Sequence, residues 1–163
     1  YADKIRDLFL TDEAKDSTPE TEFALMFGAR HDHVTKKIKP ALASGINVIS
    51  GRFDSSTYAI QVVGENAPQL KDLFFKTREV FLRDCMPDLY VFLDVEPKTA
   101  LARLEIRGGE KSRFDKESLQ FHESVDRGYK EFLKTVPHKI IDANQSSEKV
   151  LSDFEKIYFD LVG

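Results

Sequence analysis

The 163 residues include 24 Lys and Arg against 28 Asp and Glu, a formal charge of -4, with 41% hydrophobic and 32% charged residues. That length suits one domain burying about two thirds of the surface its unfolded chain exposes, and the composition is too apolar for a disordered chain. The cations form no stripe to track a nucleic-acid backbone, no apolar run nears the ~18 residues of a membrane span, and the lone Cys85 has no internal disulfide partner. The expectation is a protein of a reducing, cytoplasmic setting with no nucleic-acid partner and no membrane.

In chain order, Ile5, Leu8 and Phe9 recur at helical spacing within Tyr1 to Leu10, and Thr11 to Ser17 reads as a loop. Thr18 offers a cap oxygen, Pro19 suits the first helical position, and Glu20 and Glu22 favour the positive end of a helix dipole. The helix they start has an apolar face of Phe23, Phe27, Val34, Ile38 and Leu42, a kink at Pro40 and a stop at Gly45. Ile46 to Ser50, Leu89 to Val95 and the shorter Lys139 to Ile141 read as buried parallel strands. Helices are expected at about Pro68 to Arg83, Lys98 to Ile106, Lys116 to Leu133 and Ser147 to Leu161. Alternation of this kind indicates an α/β fold with helices on both faces of a parallel sheet, a three-layer α/β/α arrangement. No linker or repeat divides it, so residues 1–163 read as one domain. Three strands are few for so many helices, so either the helices are poorly covered or part of the sheet lies outside this sequence.

Polar chemistry concentrates after the first expected strand, in a loop running from Ser50 to Gln61. Ligands of open α/β sheets bind beyond the carboxyl ends of strands, where Arg52 could grip a phosphate in bidentate fashion while Thr57 and Gln61 hydrogen-bond a base or sugar. The same residues suit a solvated turn, and composition leans that way. Phe27 and Arg30 share a helix face, suited to a planar base, although core packing and a surface charge are the default roles of such residues. Residues 107–116, with paired glycines and Arg107, Lys111 and Arg113, suit a lid over a triphosphate and equally an exposed linker. They are not a Walker A loop, and no Gly-x-x-x-x-Gly-Lys occurs anywhere. His31 and His33 point apart on a helix, His122 and His138 lack a Cys at metal-ligand spacing, and Cys85 has no activating neighbour. No metal site is read.

Taken together, Leu25-Met26-Phe27-Gly28-Ala29-Arg30, Lys39-Pro40-Ala41-Leu42, Arg52 to Gln61, Pro87-Asp88-Leu89 with Leu93-Asp94-Val95, and Arg113 with Phe121 and Gly128-Tyr129 resemble the thymidylate kinase family in order and spacing. The resemblance runs from end to end and implies a P-loop kinase fold, transfer of phosphate from ATP with Mg²⁺ to dTMP, and a homodimer packed through helices. It implies that Phe27 stacks on thymine, Arg30 contacts the base, Arg52 holds the dTMP phosphate, and Ser56, Thr57 and Gln61 line the base pocket. Arg113 becomes the lid arginine, and Arg107 with Asp142, Ala143, Asn144 and Gln145 flanks the adenine of ATP.

The family's first strand, its P-loop and its second strand have no counterpart here, so the resemblance implies an N-terminally incomplete domain. Such a chain is expected to be inactive alone, with another segment or a separate chain supplying the phosphate cradle. Gly51 stands where the family has an Asp that helps to place Mg²⁺, Ile60 replaces a Tyr near the deoxyribose, and Ser112 replaces the Asp beside the lid arginine. These departures allow an altered substrate such as a modified deoxyuridylate. They also allow a non-catalytic nucleotide-binding or regulatory subunit descended from such a kinase.

Overall fold

Local chemistry sets the helix boundaries. In the computed structural model, which describes residues 2–11 and 14–163, helix α1 spans Ala2–Leu10. The Thr18 hydroxyl accepts the backbone N–H of Thr21 at 3.3 Å and starts α2, Pro19–His33, with Pro19 in the first turn as expected. Tyr1 and part of the Thr11–Ser17 loop lie outside the described residues. α2 continues through a π-helical stretch, Val34–Ile38, into α3, Lys39–Ala43. Pro40 accounts for the widening: it has no N–H to give, and its ring crowds the carbonyl four residues back, so the turns ahead of it open. Gly45, at φ +74°, ends the run, and the Ile46 N–H reaches back to the Ala41 carbonyl at 3.0 Å. Phe23, Phe27, Val34 and Ile38 are buried as the periodicity predicts, whereas Leu42 is 43% exposed, because its position falls beyond the widened turns that reset the face.

The chain groups into two compact units. One comprises the described residues through Met86 together with Glu110–Phe132, the other Pro87–Gly109 with Leu133–Gly163. In the second unit β1, Tyr90–Asp94, pairs in parallel with β2, His138–Asp142, in a register running from Tyr90 opposite His138 to Asp94 opposite Asp142. α6, Pro97–Arg107, connects away from β1, and α8, Ser147–Val162, follows β2 after a Ser146 cap. The structure is thus α/β, mostly helical with a small parallel sheet. Ile46–Ser50 is a correction: it joins no ladder, and Ile46 and Ile49 are 57% and 63% exposed. A β-prone apolar run becomes a strand only beside a partner, and among the described residues the sheet consists of β1 and β2 alone, both in the other unit.

The segment read as a polar loop is also corrected, because most of it is helix. α4, Asp54–Thr57, runs directly into a π-helical stretch, Tyr58–Gly64, and every residue from Ser56 to Val62 is buried. A helix buried all round shows no amphipathic stripe, so periodicity could not reveal it. α5, Lys71–Leu82, and α7, Leu119–Leu133, complete the elements of this unit. Aromatic rings fill its core: Phe27 lies 4.7 Å from Phe23 and 5.6 Å from Phe74, and Phe74 lies 5.1 Å from Tyr58 and 5.9 Å from Phe132. α7 meets the buried helix backbone to backbone. A Cβ on Gly128 would stand 2.8 Å from Ala59 Cα, closer than such atoms approach, and a tight 3.0 Å from Ala59 O. Gly128→Ala is therefore expected to destabilise the protein by about 1 to 3 kcal/mol through overpacking, read as a lowered denaturant midpoint in urea. An unchanged midpoint would show that α7 can slide away from the 58–64 helix.

Candidate functional site

The residues singled out from sequence in the first unit are tied to one another by buried polar contacts. The Arg30 guanidinium lies 5.0 Å from the centre of the Phe27 ring and donates to the Phe53 carbonyl at 3.0 Å and to Thr57 Oγ1 at 2.9 Å. It links α2 to the start of α4. Phe27 is 1% exposed, and Phe81 closes an edge at 6.1 Å. Ser56 Oγ lies 2.8 Å from the Tyr129 hydroxyl of α7. Gln61 donates its amide to Glu22 Oε2 at 3.1 Å, and Glu22 Oε1 accepts from Ser17 Oγ at 2.6 Å and from the Arg113 guanidinium. Arg113, assigned to the lid, is thus packed inward, with its Nε on the Phe9 carbonyl at 2.9 Å and the Phe9 and Phe114 rings 4.9 and 4.2 Å away.

Two fully buried carboxylates anchor this arrangement, and neither was singled out from sequence as a site residue. Glu22 is 1% exposed and faces Arg113, while Asp54, at 0%, takes the Arg78 Nε at 2.5 Å and the Ser55 N–H at 2.9 Å. Their only local signal was an acid beside apolar neighbours, since the cations that neutralise them lie 91 and 24 residues away. Glu65, at the end of the 58–64 helix, has its carboxyl pushed up to about 8, chiefly by burial and then by the neighbouring Glu22.

Arg52 differs from all of these. It is exposed, its side chain meets no partner among the described residues, and its backbone sits at φ +73°, a conformation that costs a non-glycine residue of order 1 kcal/mol or more. Ser50 Oγ donates to its carbonyl at 2.9 Å and helps to hold that shape.

In the second unit the turn after β2 is held from two sides. Asp142 Oδ1 accepts the Asn144 N–H at 2.9 Å and its amide at 2.8 Å, and these bonds keep the Asp142 carboxyl below its usual range. From α6, Arg103 donates to the carbonyls of Ala143 at 2.6 Å, Asn144 at 3.2 Å and Gln145 at 3.4 Å. Arg107 ends α6, exposed. Arg103 was not picked out from sequence, because nothing local tells a helix cation that clamps carbonyls from one that faces water. Among the described residues no group of three or more His, Cys, Asp or Glu gathers as a metal site, and no helix is long and apolar enough to cross a membrane.

Known proteins share this pattern along most of the chain. The sequence model of the family described as Thymidylate kinase matches residues 1–154. The thymidylate kinase of Mycoplasma capricolum subsp. capricolum is 38% identical over 98% of this chain and 75% of its own length. Those of Magnetococcus marinus and Caulobacter vibrioides are 36% and 35% identical, over 91% and 99% of this chain and 71% and 77% of their own lengths. The chain belongs to the thymidylate kinase family. A mostly helical α/β structure with parallel strands is consistent with the P-loop kinase fold of thymidylate kinases.

The 54–64 segment is therefore held by one buried ion pair and by buried hydrogen bonds rather than left as a flexible loop. Arg78→Ala strands the Asp54 carboxylate without its cation and is expected to cost about 3 to 5 kcal/mol of unfolding free energy in urea. Arg78→Met combined with Asp54→Asn should recover part of that loss. A cost below about 1 kcal/mol for the single change would show that water neutralises Asp54 instead.

Proposed function

We propose that this chain carries the acceptor side and lid of a phosphotransferase that moves the γ-phosphoryl group of ATP to dTMP, giving dTDP and ADP. A dTMP phosphate oxygen attacks phosphorus as the bond to ADP breaks, and the protein contributes positioning and charge neutralisation, with no covalent intermediate. Arg52 grips the acceptor phosphate, and Phe27, Arg30, Ser56, Thr57 and Gln61 form the base side. Arg113 serves the transferring group once it leaves its inward position. Arg107 and the Asp142–Gln145 turn flank the adenine.

One observation supports the reading above all: in a protein of this family, Arg52 is an exposed guanidinium with no partner among the described residues, on a strained backbone at the head of a helix whose Asp54 is locked by a buried ion pair. Strain of this kind persists where the surroundings impose it and collects at ligand clamps. Thymine stacking on Phe27 calls for a neighbouring ring to turn aside, since its own ring is 1% exposed.

Mg²⁺ fits less well. With Gly51 in place of a carboxylate and no acidic cluster among the described residues, this chain offers no cage of its own, and the ion belongs with the nucleotide phosphates. No Gly-x-x-x-x-Gly-Lys occurs in the sequence, so the reading assigns the triphosphate grip to residues outside it, on the same polypeptide or a second one. It also carries a cytoplasmic homodimer packed through helices, which sedimentation would register.

Arg52→Ala in the full-length protein is expected to weaken dTMP binding roughly 10- to 100-fold by calorimetry, as loss of a charge-assisted contact does. The melting temperature should hold, because the side chain supports nothing else. Unchanged affinity would remove Arg52 from the acceptor site.

A further inference from the structure

Glu65 poses a problem that its neighbours solve. Its Oε2 is buried and meets no donor among the described residues, and the neighbouring Glu22 carboxyl adds to burial in pushing its own carboxyl up. Both oxygens of Glu22 already accept from donors, Ser17 and Arg113 on one and Gln61 on the other, so Glu22 is the acceptor of the pair. Two ionised carboxylates held side by side away from solvent repel, and a buried acceptor facing another acceptor is costly. A proton on Glu65, donated to Glu22, removes both penalties. The charged groups facing Glu65 are Glu22 from α2 and Arg113 and Glu117 from the segment ahead of α7. Arg113 alone among them favours the ionised form.

We propose that Glu22 and Glu65 share one proton and together form the seat of Arg113, with Glu65 acting as a positioning residue whose ionisation tightens the hold on that guanidinium. With the proton present the cluster of Glu22, Glu65 and Arg113 is neutral. Without it the cluster carries a net negative charge, and Arg113 faces two carboxylates instead of one. A guanidinium so held is less available to a phosphate, and the excess negative charge opposes one. This consequence rests on the kinase reading; the shared proton does not.

The direction with pH follows from the raised carboxyl. The folded state keeps the Glu65 proton up to about 8, whereas the unfolded chain releases it near the ordinary 4.5. Stability from the protonated form is complete below that ordinary value, declines as pH rises and is gone above about 8. Glu65→Gln supplies a permanent neutral donor to Glu22 and removes the dependence.

The test uses the full-length protein labelled with ¹³C at Glu carboxyls, titrated by NMR from roughly pH 4 to 10, spanning the ordinary and raised carboxyl ranges. Expected is one Glu resonance with its midpoint near 8, absent in Glu65→Gln, together with a melting temperature that falls across the same range in the parent protein but not in the variant. A Glu65 midpoint in the ordinary carboxylate range, or a high midpoint surviving in Glu65→Gln, overturns the shared proton. In the coupled assay with ATP and dTMP, kcat/KM should fall about tenfold for each pH unit above the midpoint in the parent protein and stay level in Glu65→Gln, as loss of one essential proton requires. Identical profiles overturn the link between Glu65 and Arg113. Absence of turnover in the parent at every pH counts against the kinase reading, while the NMR titration still decides the seat.

Discussion

Burying the Glu22 carboxylate is the constraint on which the first unit depends. A carboxylate at 1% exposure forfeits its hydration, at a penalty of several kcal/mol after relaxation, and this is offset only if charged and neutral donors surround it. Those donors come from the turn before α2, from the 58–64 helix and from the segment ahead of α7. No two of these are neighbours in sequence. The carboxylate therefore forces elements up to 91 residues apart to meet at one point, with the Arg113 guanidinium turned inward against it. The Phe9 and Phe114 rings flanking the guanidinium exclude water and strengthen the pair further.

The Asp54–Arg78 pair does for the head of the buried helix what Glu22 does for its tail. Between them Ser56, Thr57 and Gln61 are held with their polar atoms already engaged, to Tyr129, Arg30 and Glu22. A ligand arriving at such a site must exchange existing hydrogen bonds for its own rather than fill empty donors, a condition that favours selectivity over raw affinity. Arg52 is the exception, since its guanidinium meets no partner among the described residues. Its place at the head of a rigid helix positions it without a competing partner among the described residues.

Legibility from sequence divides along the range of the interactions. The Thr18 cap, the Gly45 stop and the helices from Pro68 onward rest on contacts within a few residues and could be read, and both strands showed as β-rich apolar runs although each pairs with a segment far along the chain. Ile46–Ser50 could not, because β-propensity describes a willingness to pair and is silent about whether a partner stands alongside. The 54–64 helix was hidden twice over: Asp54-Ser55-Ser56 imitates a turn, and Tyr58 to Val62, buried on every side, carries no period. Of the site, Phe27 beside Arg30 was visible at helical spacing, whereas Glu22, Asp54, Arg78 and Arg103 act across distances that no local pattern encodes.

The three departures from the family pattern are not equivalent once their surroundings are considered. Ser112 exchanges bonds with Asp115, its N–H reaching Asp115 Oδ2 at 3.0 Å and its Oγ taking the Asp115 N–H at 3.3 Å, so it caps the short turn, Phe114–Lys116, that begins beside Arg113. A side-chain acceptor is all that position asks for, and serine supplies one. Ile60, 8% exposed, is absorbed into the core of the 58–64 helix, where a hydroxyl would need a partner. Gly51 is neither capped nor packed: a Cβ there meets nothing within 4 Å, and its φ lies outside the region that favours glycine. Neither space nor backbone geometry excludes a carboxylate at that position. Whatever metal positioning the proposed reaction lacks in this chain is therefore concentrated at one open, exposed residue next to Arg52.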